Sequence, residues 1–431
     1  MSTASSIRET RTVVCVDPHS EPLSQKNIHN RWHPDIPPVA SVAEGEVFKV
    51  ECCDFTGNHI VNDDVADDVL EWDWHRDHHL SGPIQVENAQ PGDALAIDIL
   101  DVQPFPNRLW GFSLIDPGLG ALDQPHTRVA KTIWDFDGVM TSSRHIKGVS
   151  FCGRPHCGVI GTAPSQKLLQ TWVSREDALN DRYRIHGVEC AQMPAERGAY
   201  VGQDLPDDVL SRIKTNGART KPAREHGGNI DSASLTRGSR IYLPVFVPGA
   251  ILSVGDLHFS EGDGEPTCAI EMAGIATLRC KVIRNGVAKL GLRAPMVVSS
   301  PAEPLYRDQL VFHGLSVDRN GVQQRSDLTT GFVEAASNAM EYLEKFGYSH
   351  EQAYSLMATA PTEARVLAVP NIPNANVSLG LPTKIFDFDI LPTEDGPQAS
   401  DRGSVAYLTP DREKRFLAER KIGESPFKRP Q

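Results

Sequence analysis

At 431 residues the chain is too long for one ordinary core, and two intimately packed lobes are the expectation. Apolar residues at 40% and charged residues at 23% are enough to build buried cores and exclude a disordered chain. The 43 Lys and Arg against 56 Asp and Glu leave a net charge of −13 and a pI near 5.6, which argues against a broad basic face for nucleic acid or anionic membrane and favours a small neutral or cationic partner.

From about 45 to 105, β-type runs alternate with turns: VFKVECCDF, GPIQVENAQPGD and ALAIDILDV. Ala94 to Asp101 alternates as a half-buried strand does, and the Pro-Gly-Asp before it supplies the turn. Residues 160 to 235 read differently. SREDALNDRYRIHG and PDDVLSRIKTNGART predict short helices, and KPAREHGGN a surface excursion.

Strands resume over 239 to 315 in SRIYLPVFV, TCAIEMAGIATLRCKVI and VAKLGLRAPMVV, with Asn285-Gly286 predicting a tight hairpin between the last two and Asn320-Gly321 a second turn. Phe332, Ala335, Ala336, Ala339, Met340 and Leu343 share one face of a helix predicted over Thr330 to Phe346. Gly347 stops it, and Ser349 with Gln352 forms a capping box for a second helix toward Ala360. The expected organisation is an N-terminal β-rich lobe (1–165), an excursion of short helices and loops (166–235), a C-terminal β-rich lobe with the helical pair 330–360 (236–395), and a charged tail (396–431). The longest apolar stretch, IYLPVFVPGAILSV, is broken by Pro244, Pro248 and Gly249 and is too short to span a bilayer. The first residues lack an apolar signal-peptide core, so a cytoplasmic location with the eight cysteines as thiols is expected.

One stretch concentrates ligand-type side chains: GDLHFSEGDGE, residues 255 to 265. If Ile251 to Phe259 is a strand, Asp256 and His258 point the same way about 6 to 7 Å apart, close enough to touch one ion. Glu261, Asp263 and Glu265 continue the alternation between glycines, and a mixed imidazole and carboxylate set suits Zn²⁺, Mn²⁺ or Fe²⁺. The bland alternative is an acidic hairpin tip. In WDWHRDHHL, His75, His78 and His79 lie near Asp63, Asp64, Asp67 and Asp68; His75 and His78 would share a helical face, against the alternative of a solvated acidic run. In REHGGN, His226 and Asn229 around two glycines predict a tight loop presenting an imidazole, or an ordinary turn. Cys152 and Cys157 flank His156 in FCGRPHCG, readable as simple packing, a reactive thiol or a metal site.

No GxSxG elbow, SxxK, GxxxxGK[ST] loop, HExxH or strand-borne GxGxxG is present, so the commonest serine-hydrolase and nucleotide routes lack support. A metal-activated water is the best remaining engine.

Nine segments in order along the chain carry a family resemblance: HNRWHPDIPPVA, HHLSGPIQVENAQPGDALAIDIL, RLWGFSLIDPG, IWDFDG, SRHIKGVSFCGRPHCGVIGTAPS, REHGGNID, LPVFVPGAILSVGDLHFSEGDGE, AIEMAG and FGYSHEQAYSLMATAP. On these the chain resembles the acetamidase/formamidase family, most closely its formamidase branch. The resemblance implies hydrolysis of formamide or another short amide, with an acetamidase or lactam-type amidohydrolase as the near alternative. It also implies a mainly β, jelly-roll-like fold with a smaller α+β lobe, a homo-oligomer, and a divalent metal, zinc or calcium. By motif position His78, His226, Asp256, His258, Asp263 and Glu265 are expected around the site. Combined with the residue chemistry this assigns Asp256, His258 and His78 to the metal and Glu265 to base and then acid. His226, or the N–H groups of Gly227 and Gly228, would stabilise the oxyanion, and Trp110 or Phe112 would narrow the pocket. FCGRPHCG departs from the family pattern and keeps open a cysteine-dependent amidase using Cys152 or Cys157. A non-catalytic binding protein on the same scaffold is the remaining alternative.

Overall fold

The computed structural model of the chain describes residues 10–20, 22–183, 190–301, 306–393 and 396–419. It is mainly β. A six-stranded sheet runs in the order Arg11–Val14, Val47–Cys52, Gly274–Ile283, Ala94–Pro104, Arg240–Pro244, Met296–Val298. A larger sheet has Ile146–Cys152, Met140–Ser143, Ala130–Asp137 and Trp110–Ile115 on one flank. Its centre is Glu271–Met272, Leu252–His258 and His156–Thr162, and the other flank carries Gly227–Asn229 and Ala223–Arg224. Leu80–Val86 also pairs with Leu252–His258. Strands from before residue 165 and after 236 therefore interleave in both sheets.

Burial separates two kinds of strand. Val47–Cys52 alternates half-buried and buried residues, as does much of Gly274–Ile283, so each shows one face to the core and one toward solvent. Leu252–His258 and His156–Thr162 are buried at every residue, which is the signature of strands covered on both faces. The inner faces of the two sheets meet in one apolar core: Phe48, Val50, Ile97 and Leu278 from the first, Ile84, Ile160, Leu252 and Val254 from the second. At about 25 cal/mol per Å² of apolar area, such burial supplies the main stabilisation.

The predicted helical pair forms. The first helix is Leu328–Glu344, begun two residues earlier than the apolar spacing indicates because Asp327 caps it, accepting from Thr330 N at 2.6 Å. It covers a separate three-stranded sheet of Gln309–Leu315, Asn376–Pro382 and Glu363–Ala368. The second, His350–Thr359, has the Ser349–Gln352 capping box and is buried from Glu351 to Thr359. It braces the ligand-rich loop, since Gly262 N donates to Ala358 O at 2.8 Å.

Two local expectations fail. Asn285-Gly286 opens a short helix, Gly286–Leu290, rather than a hairpin. Asn285 N donates to the Asp93 carboxylate and Val287 N to Gly92 O, so contacts to a turn far away in sequence override the dipeptide's own preference. His75 and His78 do not share a helical face either. Trp74–Arg76 is a single 3-10 turn, and His78 and His79 already lead into the strand Leu80–Val86. The acidic run before them is partly neutralised by the buried Lys131, whose ammonium meets Asp63 at 2.9 Å and Asp68 at 2.7 Å. Helices Gln166–Tyr183 and Asp207–Asn216 occupy the excursion; residues 184–187 of its first predicted helix, and 420–431 of the tail, lie outside the described residues.

Candidate active site

Sheet register assembles the site. His258 stands directly opposite His156 on one neighbouring strand and Glu271 on the other, so three chemical groups far apart in sequence form a row across three strands. Glu261, from the loop that follows, closes against the row: its Oε2 lies 2.8 Å from His156 Nε2 and 3.1 Å from His258 Nδ1. On the other edge of the His258 ring, Nε2 lies 3.6 Å from Asp256 Oδ2 and 3.3 Å from Glu271 Oε2. His78 Nε2 reaches Asp256 Oδ2 at 3.9 Å. His258 thus belongs to three overlapping groups able to hold a cation: with His156 and Glu261, with Asp256 and Glu271, and with Asp231 and Glu265.

Two backbone features permit this packing. Asp256 has φ of 53°, a left-handed conformation inside a strand, which re-aims its carboxylate. Gly158, beside His156, faces the row, and a Cβ there would lie 2.7 Å from His258 Cε1 and 2.9 Å from Asp231 Oδ1. Only a residue without a side chain leaves the ring its place.

Electrostatics divide the carboxyl groups. Burial resists ionisation of Asp256, but His78 and His258 outweigh it and hold its pKa at about 2; hydrogen bonds from His156 and His258 do the same for Glu261, also at about 2. Burial, with Asp256 nearby, pushes Glu271 up to about 8, and burial with neighbouring acids raises Asp231 and Glu265 well above the usual range. Burial disfavours the His258 imidazolium, yet Glu271 and Asp256 hold its pKa well above the ordinary value. The site thus divides its carboxyls into two that ionise readily and three whose proton affinity is raised, the division that acid–base chemistry uses.

The groups open into a cavity of about 110 Å³. His78, Asn229, Asp256, Glu265, Glu271 and Cys268 form its polar side, and Phe55, Trp74, Leu114 and Leu119 its apolar side. Asp77, Asp116, Lys221 and Thr267 also line it. Phe55 stacks on Trp74 at 5.9 Å and meets the His78 ring edge-on, also at 5.9 Å.

Of the residues singled out in sequence, Asp256, His258, His78 and Glu265 come together. Asp263 turns away, accepting from Ala364 N at 2.9 Å. His226 lies in a different cluster, its ring 4.6 Å from both Trp32 and Trp172, with neither nitrogen hydrogen-bonded. Gly227 and Gly228 pair in the sheet with Gly161 and Ile160, and the neighbouring Asn229 is the residue that lines the cavity. Phe112 is buried behind Phe55 at 6.0 Å, and Trp110 packs against Phe112 under the Arg108 guanidinium; the lining aromatics are Phe55 and Trp74. Cys157 is buried and its thiol pushed up to about 12, opposite to what a nucleophile requires, while Cys152 Sγ sits 3.6 Å from Gly153 O.

Sequence reading gave Asp231 and Glu271 no part, Glu261 only a place in the ligand-rich loop, and His156 only a place between the two cysteines. Each lay in a segment already marked, in FCGRPHCG, REHGGNID, GDLHFSEGDGE and AIEMAG, but the pairing that joins them is long-range. Alternation within one strand could find only Asp256 with His258.

Comparison with known proteins gives the family. The Acetamidase/Formamidase family profile matches residues 15–388. A formamidase of Methylophilus methylotrophus is 47% identical over 396 residues, covering 90% of this chain and 97% of that protein. An acetamidase of Mycolicibacterium smegmatis is 43% identical over 366 residues, covering 80% and 89%. The solved γ-lactamase of Delftia acidovorans superimposes with a TM-score of 0.89 at 44% identity, covering 93% of this chain and all of that one. Agreement over nearly the whole length places the chain in the acetamidase/formamidase family, as a hydrolase of carbon–nitrogen bonds in linear amides.

Proposed function

We propose that the chain hydrolyses formamide, and less readily other short aliphatic amides, to a carboxylate and ammonia at the cavity lined by Asp256, Glu265 and Glu271 beside His258, with the help of a divalent cation for which zinc is the first choice. The observation that carries this reading is the pair of orphaned atoms at the cavity edge. His258 Nε2 and Glu271 Oε2 lack hydrogen-bond geometry to each other, and neither has another hydrogen-bond partner among the described residues. Two such atoms facing each other at 3.3 Å among carboxylates call for an explanation, and a cation between them supplies one. With Asp256 they form a nitrogen and oxygen donor set of the kind zinc takes, and His78 stands behind Asp256. When bound, such an ion would polarise the amide carbonyl and make a water more acidic.

The chain's own groups do the rest. Glu265 faces the cavity with a carboxyl whose proton affinity burial has raised, suiting it to take the proton of the attacking water and hand it to the departing nitrogen. One C–O bond forms, the C–N bond breaks, and that proton leaves on ammonia. Asn229 can orient the amide. Phe55, Trp74 and Leu114 form the wall that limits the acyl group. Being held on rigid, doubly covered strands, the polar side needs little rearrangement.

The test is ammonia release from formamide, acetamide, propionamide and a γ-lactam, with metal analysis on protein never exposed to a nickel column. Activity greatest on formamide, lost on chelation and restored by Zn²⁺, supports the reading; activity that survives chelation overturns its metal. The likeness to the Delftia enzyme favours one second reading, lactam hydrolysis, and preference for the γ-lactam would establish it. Cysteine chemistry is disfavoured by the raised Cys157 thiol, and Cys152→Ala and Cys157→Ala should each leave turnover intact.

A further inference from the structure

The cavity sets an electrostatic problem for the reaction it is proposed to run. Five of its lining residues are acids, Asp77, Asp116, Asp256, Glu265 and Glu271. Amide hydrolysis places negative charge first on the carbonyl oxygen and finally on a carboxylate product that must leave past these acids, so a protein cation beside the proposed metal would ease both steps. Among the described residues that line it, Lys221 is the sole lysine or arginine.

Lys221 is also unusually well placed for a long side chain. Its ammonium lies 3.8 Å from Asp77 Oδ2 and 4.9 Å from the centre of the Trp74 ring. Asp77 is itself fixed, accepting from Trp72 Nε1 at 2.8 Å. The backbone leading to Lys221 is irregular but pinned: Ala218 exchanges both main-chain hydrogen bonds with Trp32, Thr220 accepts from His78 N, and Arg219 O accepts from Arg224 Nη1 at 2.8 Å. About a third of the side chain, 35%, remains exposed, so this lining residue reaches both the cavity and solvent. A cation held between an aromatic face and a carboxylate loses little freedom on taking an anion.

We propose that Lys221 is the anion-holding residue of this cavity, receiving the amide oxygen as charge develops on it and then the carboxylate of the product. The ammonium donates hydrogen bonds throughout and gives up no proton; the proton that leaves with ammonia travels by Glu265. This deepens the amidohydrolase reading and rests on it.

The experiment compares Lys221→Met and Lys221→Arg with the wild-type enzyme carrying its own metal. Sodium formate serves as the anion probe and dimethylformamide as an uncharged one. Lys221→Met is expected to raise the inhibition constant of formate at least tenfold and to lower kcat/KM for formamide about a hundredfold, leaving dimethylformamide inhibition and bound metal unchanged; Lys221→Arg is expected to keep formate within about threefold of wild type. Equal formate inhibition in Lys221→Met and wild type overturns the proposal, as does parallel weakening of both probes, which would mark a structural role. Formate protection against thermal unfolding gives the same comparison without turnover. If the wild type releases no ammonia from any amide, the reaction reading fails, while loss of that protection in Lys221→Met still identifies the anion site.

Discussion

His258 and His226 are both fully buried imidazoles beside glycine-rich strands of one sheet, and their surroundings make them opposites. His258 is ringed by Asp256, Glu261 and Glu271, which hold its pKa well above the ordinary value. His226 sits between Trp32 and Trp172 with Arg224 nearby, and burial with that positive neighbour drives its pKa well below. Burial alone does not make a site. What separates the two is the charge that the sheet register brings opposite each ring.

The sharpest way to break that comparison is to remove each ring. His258→Ala should lower kcat/KM for the preferred amide by a factor on the order of 10³ or more and strip bound metal, read by ammonia release and metal analysis. His226→Ala should instead cost about 2 to 4 kcal/mol in denaturant unfolding and leave kcat within a few fold. Should His226→Ala abolish turnover in a folded protein, the division fails and the oxyanion role read from sequence returns.

Glu265→Gln probes the acidic partner alone. It should lower kcat by roughly 10² to 10⁴ with KM little changed and metal retained, since a proton carrier acts on the chemical step. A third buried imidazole extends the neutral class. His29, its ring nitrogens meeting Arg31 O and Ser253 Oγ, is held down to about 4 by burial. Below its unfolded value near 6.5 the unfolded chain takes up the proton first, so stability is complete above that pH and falls as pH drops toward 4, by about 3 kcal/mol for this group. Urea midpoints from pH 7 to 4, compared between wild type and His29→Gln, measure it; an identical slope in both would assign the acid sensitivity elsewhere. The smallest effect expected is on selectivity. Phe55→Ala should raise the propionamide to formamide ratio of kcat/KM about tenfold, a change of the size one methylene is worth in an apolar pocket.

Much of the architecture was legible because it is local. Helical spacing and the Ser349 capping box announce the helical pair, and alternation announces strands such as Ala94–Pro104. The site was legible only as far as one strand and its loop reach. His156 and Glu271 join His258 through register between strands about a hundred and about a dozen residues away, respectively, and a sequence carries no local mark of that pairing. The aromatic wall was misplaced for a related reason. Trp110 and Phe112 lie in a recognisable segment, but Phe55, from an irregular stretch, steps in front of them.

Gly158 touches no substrate and holds no proton, yet a Cβ added there would lie within 3 Å of the His258 ring, the Asp256 carbonyl and the Asp231 carboxylate. In a scan of all substitutions scored by growth on an amide as nitrogen source, it should therefore rank with His258 and Glu271, intolerant even of alanine. Position 256 should show a different asymmetry, because its left-handed backbone tolerates asparagine and glycine as conformers while refusing β-branched residues outright. Such a map would record the empty space in this protein as faithfully as its chemistry.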